Sequence, residues 1–308
     1  MYNTCYFPSP TKGINLQYSI IIPHYNDFLA LEELVMSIPK RNDLEIIVVD
    51  DRSTDKKNIE KIQDRCVFIT NTSSKKSAGV CRNIGMKKAK GDWILFADSD
   101  DLFIDNAFDV FDLYKNYKED IIYFKPTSTN KVTGKLSDRH IPLCDLVNDF
   151  ILCDDESIRY KSVVPWSKLI RKEFLEKHNV SFDEVIASND VMFSLKSGFF
   201  ANKVLAVDKV VYNVVRREGS LTSNRSAEVI QSRLLVTIVR NNFLYLHGLK
   251  QYQLSLFSII ALYREALTVD IFKDLLLSLI KGEQRIFPKI SSIKKSRYFL
   301  SNLMKNQF

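Results

Sequence analysis

The sequence of 308 residues lacks the signatures of several protein classes. None of its five cysteines belongs to a Cys-x-x-Cys pair, so neither a disulfide framework nor a cysteine zinc site is expected. The four histidines show no His-x-x-x-His spacing, which argues against a histidine metal site. Gly-x-Gly-x-x-Gly and Gly-x-x-x-x-Gly-Lys-Ser/Thr are absent, so the usual dinucleotide and P-loop phosphate sites are excluded.

Long apolar runs are absent as well. The longest run near the C-terminal end, residues 254–263, is too short to span a bilayer and is followed by Arg264. The first five residues lack the basic and apolar regions of a signal peptide. These absences, with a hydrophobic fraction of 45% that is ample for a buried core, predict a cytoplasmic globular protein.

Positive charge is concentrated at the C-terminal end. Thirteen Lys or Arg and five Asp or Glu lie from Arg225 onward, a surplus of eight in a chain whose net charge is +7. Basic and apolar residues together are typical of a helix that lies on an anionic membrane surface. A helix that covers the core and exposes a basic face has the same pattern, so both interpretations stay open.

The first hundred residues alternate short β-branched runs with amphipathic segments, which predicts β-α units around a mostly parallel sheet. Helices are expected after the cap residues Asn26 and Asp27, ending at Ile38, and from Ser77 to Lys90. The predicted strands are 19–22, 45–49, 66–69, 93–97 and 121–124.

The remainder of the chain is less regular. We predict a hairpin or mobile loop over 127–140, helix over 166–201 with a helix N-terminus at 188–190, and extended chain over 204–215. From Ala227 onward the pattern is helical, with interruptions near Gly248, Gly282 and Pro288.

An acidic cluster, Asp98-Ser99-Asp100-Asp101, follows the apolar run at 93–97. Alternate side chains of an extended segment share a face, so Asp98 and Asp100 can project together from the carboxyl end of the strand. Their oxygens suit Mg²⁺ or Mn²⁺ and leave coordination positions for a substrate diphosphate. The alternative is an acidic turn before a helix, because Asp and Ser are favoured there.

Two other polar segments are expected at the same edge of the sheet. Pro23-His24-Tyr25-Asn26 and Asp50-Asp51 each follow a predicted strand, near helix N-termini that offer backbone N–H groups to anions. Together with the acidic cluster, they outline a pocket for a nucleoside diphosphate.

Four segments, in this order, resemble the motifs of the inverting family 2 glycosyltransferases with the GT-A fold. They are SIIIPHYN at 19–26, EIIVVDDRSTD at 45–55, AGVCRNIG at 78–85 and GDWILFADSDD at 91–101. The resemblance covers about residues 18–222. It implies an α/β fold in which helices flank a mostly parallel central sheet, followed by a helical C-terminal extension.

The resemblance also implies roles for individual residues. The donor nucleotide sugar would contact Pro23, Tyr25, Asn26, Asp51, Arg82, Asn83, Asp98 and Arg217. Among these, Asp51 would meet the uracil ring, whereas Arg82 and Asn83 would lie near the diphosphate or the donor sugar. Asp98 and Asp100 would hold Mn²⁺ or Mg²⁺. Each has a structural alternative, such as packing for Tyr25 or a surface charge for Arg82.

Asp190 matches the catalytic base of the family, and Asn189 stands where a Glu is usual. An ordinary helix cap is the alternative for Asp190. Trp166 either stacks on a sugar or belongs to the core. The segment 217–222 resembles a loop that closes over the diphosphate, but Val215 stands where the family often has Arg. Whether Arg216, Arg217 or neither touches phosphate is therefore left open.

By resemblance, the protein is a metal-dependent hexosyltransferase that moves glucose or galactose from a UDP-sugar. The acceptor would be a lipid-diphosphate-linked sugar such as GlcNAc-diphospho-undecaprenol, joined by a β-linkage, with β1,3 preferred, in O-antigen or capsule synthesis. Peripheral contact with the inner face of the plasma membrane is expected, and binding to nucleic acid is not. Residues 1–120 would bind the nucleotide sugar, 121–224 the acceptor and the base, and 225–308 form a basic helical region.

Three other functions remain as alternatives, one of them a degenerate sugar-binding protein that has lost catalysis. A processive polysaccharide synthase is disfavoured because the sequence has neither transmembrane runs nor the Gln-x-x-Arg-Trp motif. A non-catalytic protein that binds nucleotides or nucleic acid is suggested by the basic C-terminal region, but no nucleic-acid-binding motif supports it.

Overall fold

The structure, a computed structural model, describes residues 16–55, 59–217 and 224–287. An eight-stranded sheet lies at the centre of these residues. Its strands are β1 (Tyr18–His24), β2 (Leu44–Asp50), β3 (Val67–Thr70), β4 (Trp93–Phe96), β5 (Leu102–Phe103), β6 (Ile121–Asn130), β7 (Lys168–Arg171) and β8 (Val204–Arg216). The strand order is β3-β2-β1-β4-β7-β6-β8-β5.

The half of the sheet built from the first hundred residues is parallel, as predicted. Strand β1 pairs with β2 and β4, and β2 pairs with β3, all in parallel. The register places His24 opposite Asp50, and Ile21 opposite Phe96. The carboxyl ends of β1, β2 and β4 therefore lie side by side, so the polar residues that follow these strands meet at one edge.

The second half of the sheet is mixed. Strand β7 lies antiparallel between β4 and β6, while β6 pairs with β8 in parallel and β8 with β5 antiparallel. The prediction of helix over 166–201 was right for 172–177 and 191–200 but wrong elsewhere, because Leu169 and Ile170 are buried in β7 and residues 178–190 form no helix. A four-residue strand has too few residues to show a period, so pairing with β4 and β6 decides its conformation.

The segment 127–140 begins as strand and continues as a turn. Strand β6 continues to Asn130, after which a turn brings Leu136 back to pair with Thr129 as an isolated bridge. This result agrees with the hairpin interpretation.

Helices flank the sheet. They are α1 (Phe28–Ser37), α2 (Ala78–Lys88), α3 (Ala107–Tyr114), α4 (Ile141–Cys153), α5 (Ile158–Lys161), α6 (Lys172–Lys177), α7 (Val191–Phe200), α8 (Ala227–Leu246), α9 (Leu256–Tyr263) and α10 (Val269–Ile280). The Asp27 side chain caps α1 by accepting the Ala30 N–H, and Ser77 caps α2 by accepting that of Val80. Both helix starts agree with the predicted ones.

Helix α2 packs very closely against the segment that leads into α7. A Cβ atom at Gly79 would lie 2.2 Å from the backbone oxygen of Asp183 and 2.9 Å from the Cβ atom of Asn189. Only glycine allows this approach. It brings the first turn of α2 next to the residues that precede α7, although the two segments are far apart in sequence.

The C-terminal helices pack on α7 and on one another. Met192 and Leu195 of α7 form one apolar cluster with Val236 and Leu244 of α8. A second cluster joins α8, α9 and α10. The predicted interruptions near Gly248 and Gly282 are confirmed by the ends of α8 and α10, whereas Pro288 lies outside the described residues. In the described part of the chain, no helix has the length and hydropathy needed to cross a membrane.

Candidate active site

The turns after β1 and β2 are held together by side-chain hydrogen bonds. Asn26 adopts a left-handed conformation, with φ of 62°, and its Oδ1 accepts the Thr54 N–H at 2.8 Å. Its own N–H donates to the Ser53 hydroxyl oxygen at 2.8 Å, and that hydroxyl donates to Asp50. Asn26 thus shapes the backbone at this edge of the sheet, where the sequence predicted a donor contact.

Asp51 lies at the same edge and is partly exposed. Its Oδ1 accepts a hydrogen bond of 2.7 Å from the Nδ2 of Asn71, a fully buried residue. This bond fixes the direction of the Asp51 carboxylate. Asn71 was not predicted, because nothing in the sequence marks a residue after a short strand as the partner of Asp51.

Tyr25 and Pro23 differ in exposure. The Tyr25 side chain is 53% exposed and its ring lies 5.0 Å from the Lys76 Nζ atom, so it is not a core residue. Pro23 is buried within β1, opposite Val49 of β2. The exposed ring therefore offers a flat surface at the edge of the sheet, while Pro23 is part of the buried strand.

Arg82 connects the acidic cluster to the segment that precedes α7. It is 5% exposed, and its Nη2 lies 2.5 Å from the Asp98 Oδ1. Its Nη1 donates to the Asn189 Oδ1 at 2.8 Å. The buried guanidinium therefore sets the distance between Asp98 and the residue next to Asp190, rather than lying on the surface. Asn189, the departure from the family pattern, is part of this bridge.

Asn83 was predicted near the diphosphate or the donor sugar. Its side-chain amide makes two hydrogen bonds to the backbone of one residue, Phe182. Its Nδ2 donates to the Phe182 carbonyl at 3.0 Å, and its Oδ1 accepts the Phe182 N–H at 2.9 Å. These bonds fix the chain before α7 to α2.

Asp101 has a structural role that the sequence did not reveal. It is 3% exposed, and its Oδ1 accepts the Val215 N–H at 2.8 Å. Its carboxyl group also bonds to the Tyr212 hydroxyl, whose oxygen accepts the Asp98 N–H at 2.9 Å. Burial, with Asp98 and Asp100 nearby, raises the pKa of Asp101 well above its usual value. Asp101 thus ties β8 to the acidic cluster.

Asp100 contacts Arg217. The Arg217 Nε lies 2.8 Å from the Asp100 Oδ2, and the same guanidinium bonds to Asp27 through Nη1. Burial raises the pKa of Asp100, and the Asp98 charge adds to this effect. Arg216, by contrast, lies 3.7 Å from Asp138. Of the two arginines, Arg217 is therefore the one held at the acidic cluster.

The acidic cluster fits a divalent cation whose other ligands come from substrate and water. Asp98 and Asp100 supply hard carboxylate oxygens. Burial raises the pKa of Asp100 first, and the neighbouring Asp98 charge adds to it, so a cation between the two carboxylates would stabilise their ionised forms. Within the described ranges, no three His, Cys, Asp or Glu residues form a ready-made metal centre. Mg²⁺ and similar ions are commonly bound by one or two carboxylates together with substrate phosphates and water.

Asp190 lies at the start of α7, but its side chain makes no capping hydrogen bond to that helix. This observation weakens the helix-cap alternative. Burial raises the pKa of Asp190, and the Asp98 charge acts in the same direction, whereas Arg82 and Lys168 oppose it. A carboxylate with a raised pKa is a better proton acceptor at neutral pH, which suits a general base.

Lys168 is a buried cation that the sequence analysis did not single out. It is 4% exposed, and its Nζ donates to the Ser162 carbonyl at 3.3 Å and lies 5.0 Å from the Tyr123 ring centroid. Burial lowers the pKa of Lys168 to about 7, although Asp190 opposes the shift.

Trp166, two residues before Lys168, is buried, and its ring stacks on that of Tyr212 with the ring centroids 5.5 Å apart. These contacts support the interpretation of Trp166 as a core residue.

Lys168 is expected to make stability depend on pH. Its pKa is about 7 in the folded protein and about 10.4 when unfolded, so the unfolded state binds the extra proton between these values. The free energy of unfolding should therefore rise with pH from about 7 to about 10. In Lys168→Met, urea denaturation at several pH values should show a flatter profile. The exposed Lys177→Met is the control, and equal profiles for both variants would contradict the prediction.

Comparisons with known proteins agree with this geometry. Residues 19–183 match the family described as Glycosyl transferase family 2. The poly(ribitol-phosphate) beta-N-acetylglucosaminyltransferase TarS of Staphylococcus aureus is 27% identical over 222 residues, which are 68% of this chain and 37% of TarS. The chain thus spans little more than a third of that relative. A GalNAc(5)-diNAcBac-PP-undecaprenol beta-1,3-glucosyltransferase of Campylobacter jejuni is 34% identical over 29% of this chain and 31% of its own length.

Solved structures show the same fold. TarS in complex with UDP-GlcNAc superposes with a TM-score of 0.58 and 23% identity, over 77% of this chain and 71% of that chain. The mannosyltransferase PcManGT of Pyrobaculum calidifontis, solved with GDP-Man and Mn²⁺, has a TM-score of 0.52 and 15% identity, over 89% and 84% of the two chains. The predicted GT-A fold is confirmed, and because the family match covers more than half of the sequence, the chain belongs to glycosyl transferase family 2.

Proposed function

We propose that this glycosyltransferase is an inverting, metal-dependent hexosyltransferase that uses a UDP-sugar. The observation that carries the proposal is the Arg82 bridge, which connects Asp98 of the acidic cluster to Asn189, the neighbour of Asp190. A donor-binding carboxylate pair and a separate base are the two components that such a reaction needs.

Each component has a distinct task in this scheme. Asp98 and Asp100 would hold Mn²⁺ or Mg²⁺, which when bound stabilises negative charge on the departing diphosphate. Asp190 accepts the proton of the acceptor hydroxyl as that oxygen forms its bond to the anomeric carbon. The bond from this carbon to the UDP oxygen breaks on the opposite face. An α-linked donor therefore gives a β-linked product, and UDP leaves with the electron pair.

Pro23, Tyr25, Asn26 and Asp51 form the nucleotide side of the proposed site. Asp51 is directed by Asn71, and the exposed Tyr25 ring lies at the same edge of the sheet. The UDP-GlcNAc complex of TarS supports a UDP-sugar as the donor class. We prefer glucose or galactose as the transferred hexose. Arg82 and Asn83 act here by fixing the walls of the site, and Arg217 is the candidate contact to the diphosphate.

The proposed acceptor is a lipid-diphosphate-linked sugar such as GlcNAc-diphospho-undecaprenol. The name of the Campylobacter relative, which describes a beta-1,3-glucosyltransferase acting on an undecaprenol-linked glycan, supports this class. We propose a β-linkage, with β1,3 preferred, in the repeat units of O-antigen or capsule. Residues 1–120 would supply the donor half of the site and 121–224 the acceptor half and the base.

A radiolabelled panel of UDP-sugars, offered with a synthetic GlcNAc-diphosphate-lipid, tests the proposal. UDP-glucose or UDP-galactose should give a β-linked product when Mn²⁺ is present, and EDTA should abolish transfer. Asp100→Ala should behave like the EDTA-treated enzyme. Transfer that EDTA leaves unchanged would refute the metal requirement, and transfer from GDP-sugars alone would refute the donor assignment.

We further propose that the region 225–308 contacts an anionic membrane at the inner face of the plasma membrane. Helix α10 exposes an apolar stripe formed by Val269, Phe272, Leu276 and Ile280, which are 45–74% exposed. The residues that follow the stripe in sequence, from 288 onward, include five Lys or Arg and no Asp or Glu. An exposed apolar stripe next to a basic segment is suited to the headgroup region of anionic lipids.

Co-sedimentation with phosphatidylcholine vesicles, with and without phosphatidylglycerol, tests the membrane contact. The protein should bind the phosphatidylglycerol vesicles, and the double variant Phe272→Asp, Ile280→Asp should bind about tenfold more weakly because two apolar side chains are lost from the interface. Leu152→Asp, on the exposed face of α4, is the control. Equal binding of all three proteins would contradict the proposed surface.

A further inference from the structure

One guanidinium contacts two carboxylates from distant parts of the chain. The Arg217 Nε lies 2.8 Å from the Oδ2 of Asp100, and the Arg217 Nη1 bonds to the Oδ2 of Asp27. The other carboxylate oxygen of Asp27 accepts the Ala30 N–H at 3.2 Å as the cap of α1. Asp27 thus holds a helix start with one oxygen and Arg217 with the other.

The Asp27 carboxylate is well suited to hold the Arg217 guanidinium. Burial opposes its ionisation, but the Ala30 N–H and the Arg217 guanidinium together lower the pKa of Asp27. Because the cap bond to Ala30 fixes this carboxylate at the start of α1, the guanidinium that it binds is positioned as well. From the sequence, Asp27 is predicted only to cap the helix.

Arg217 and a divalent cation make conflicting demands on Asp100. The guanidinium contacts the Asp100 Oδ2, an oxygen of the carboxylate that would also bind Mn²⁺ or Mg²⁺. Two positive groups on one carboxylate repel each other at such short distances. A donor diphosphate offers the guanidinium a doubly charged alternative partner with suitable geometry.

We propose that Asp27 is a positioning residue that holds Arg217 on Asp100, so that Arg217 and the divalent cation compete for Asp100 until the donor diphosphate draws Arg217 away. The inference rests on the metal and donor assignments of the proposed function. It makes cation binding and nucleotide binding mutually reinforcing, because the diphosphate removes the competitor of the cation.

The ion pairs are weak enough to exchange. Asp27 and Arg217 each have side chains 34% exposed, and Asp100 has one 23% exposed. Solvent-accessible pairs of this kind contribute modestly to stability, so the guanidinium can change partner without unfolding the site.

Mn²⁺ titrations followed by electron paramagnetic resonance, on the full chain without nucleotide, test the competition. Arg217→Gln should bind Mn²⁺ up to about fivefold more tightly than the parent, because the competing charge is gone. The same variant should bind UDP in the presence of Mn²⁺ about tenfold more weakly, because the diphosphate loses a charged partner. The opposite signs distinguish competition from general damage to the site.

Asp27→Asn isolates the positioning step, since Asn caps a helix as well as Asp does. Its melting temperature should match that of the parent. In the parent, Asp27→Asn should tighten Mn²⁺ binding, because it releases Arg217 from Asp100. In Arg217→Gln, which has no arginine to release, the same substitution should tighten Mn²⁺ binding less or not at all. Asp138→Asn, which removes the partner of Arg216, is the matched control and should leave Mn²⁺ affinity unchanged.

Three results would overturn the inference. Arg217→Gln could bind Mn²⁺ no more tightly than the parent, or the effects of Asp27→Asn and Arg217→Gln could simply add. In both cases, loss of Mn²⁺ binding in Asp100→Asn would leave the proposed metal site standing. If no variant and no parent protein binds Mn²⁺, the metal assignment fails together with the inference.

Discussion

Replacing Asp190 with asparagine is expected to lower kcat by about 10²- to 10⁴-fold, the usual range for loss of a general base. The amide has nearly the same shape as the carboxylate but cannot accept the proton of the attacking hydroxyl. Binding of the UDP-sugar should change little, because the donor contacts are proposed on other residues. Steady-state kinetics with a separate measurement of UDP affinity by calorimetry checks both expectations.

Asp183→Asn is the matched control for this experiment. Asp183 lies in the same segment before α7, where its backbone N–H donates to the Asn189 carbonyl, and burial raises the pKa of its side chain. It has no part in the proposed reaction, so its kcat should stay close to that of the parent. An Asp190→Asn enzyme as active as this control would remove Asp190 from the reaction.

The second large effect concerns stability. Asp101→Ala should lower the free energy of unfolding by about 3 kcal/mol, because it leaves the part-buried Val215 N–H and the buried Tyr212 hydroxyl without their partner. Asp101→Asn retains an acceptor oxygen for Val215 and should cost less. Urea denaturation measures the difference.

Asp105→Ala provides the comparison for Asp101. This residue is exposed and lies four positions after Asp101 in the chain, so its loss should change the free energy of unfolding by less than about 0.5 kcal/mol. If Asp101→Ala were equally mild, the tie between β8 and the acidic cluster would have no energetic importance.

The sequence predicted the parallel half of the sheet because its signals are local. Each buried strand there is an unbroken apolar run, and the polar residues that follow the strands end up at one edge by the geometry of parallel pairing. Asp98, Asp100 and Asp51 could be named on this basis. The resemblance then added Asp190, which no local pattern would have connected to them.

The sequence could not reveal contacts that depend on distant packing. The Asp101 bond to Val215 joins residues 114 positions apart. The Arg82 bond to Asn189 spans 107 positions and exists because Gly79 lets α2 approach the chain before α7. A single sequence contains no signal for such pairs, so Asp101 had no assigned role and the Arg82 bridge was not predicted.

Strand β7 illustrates the same limit at the level of secondary structure. Its four residues include a buried lysine, Lys168, and carry too short a pattern to distinguish strand from helix. Once β4 and β6 offer open edges, backbone pairing on both sides determines the conformation. The buried position of Lys168 opposite Tyr123 follows from that register.

Strand β7 is synthesised long after β4, the strand with which it pairs, and this affects the nascent chain. Strand β4 ends at Phe96 and its second partner begins at Lys168, so about seventy residues must be made before that edge of the sheet can close. At ribosomal rates, this takes on the order of several seconds. Throughout that interval the nascent chain presents an unpaired, apolar strand edge, which is the kind of surface on which chains aggregate and chaperones bind.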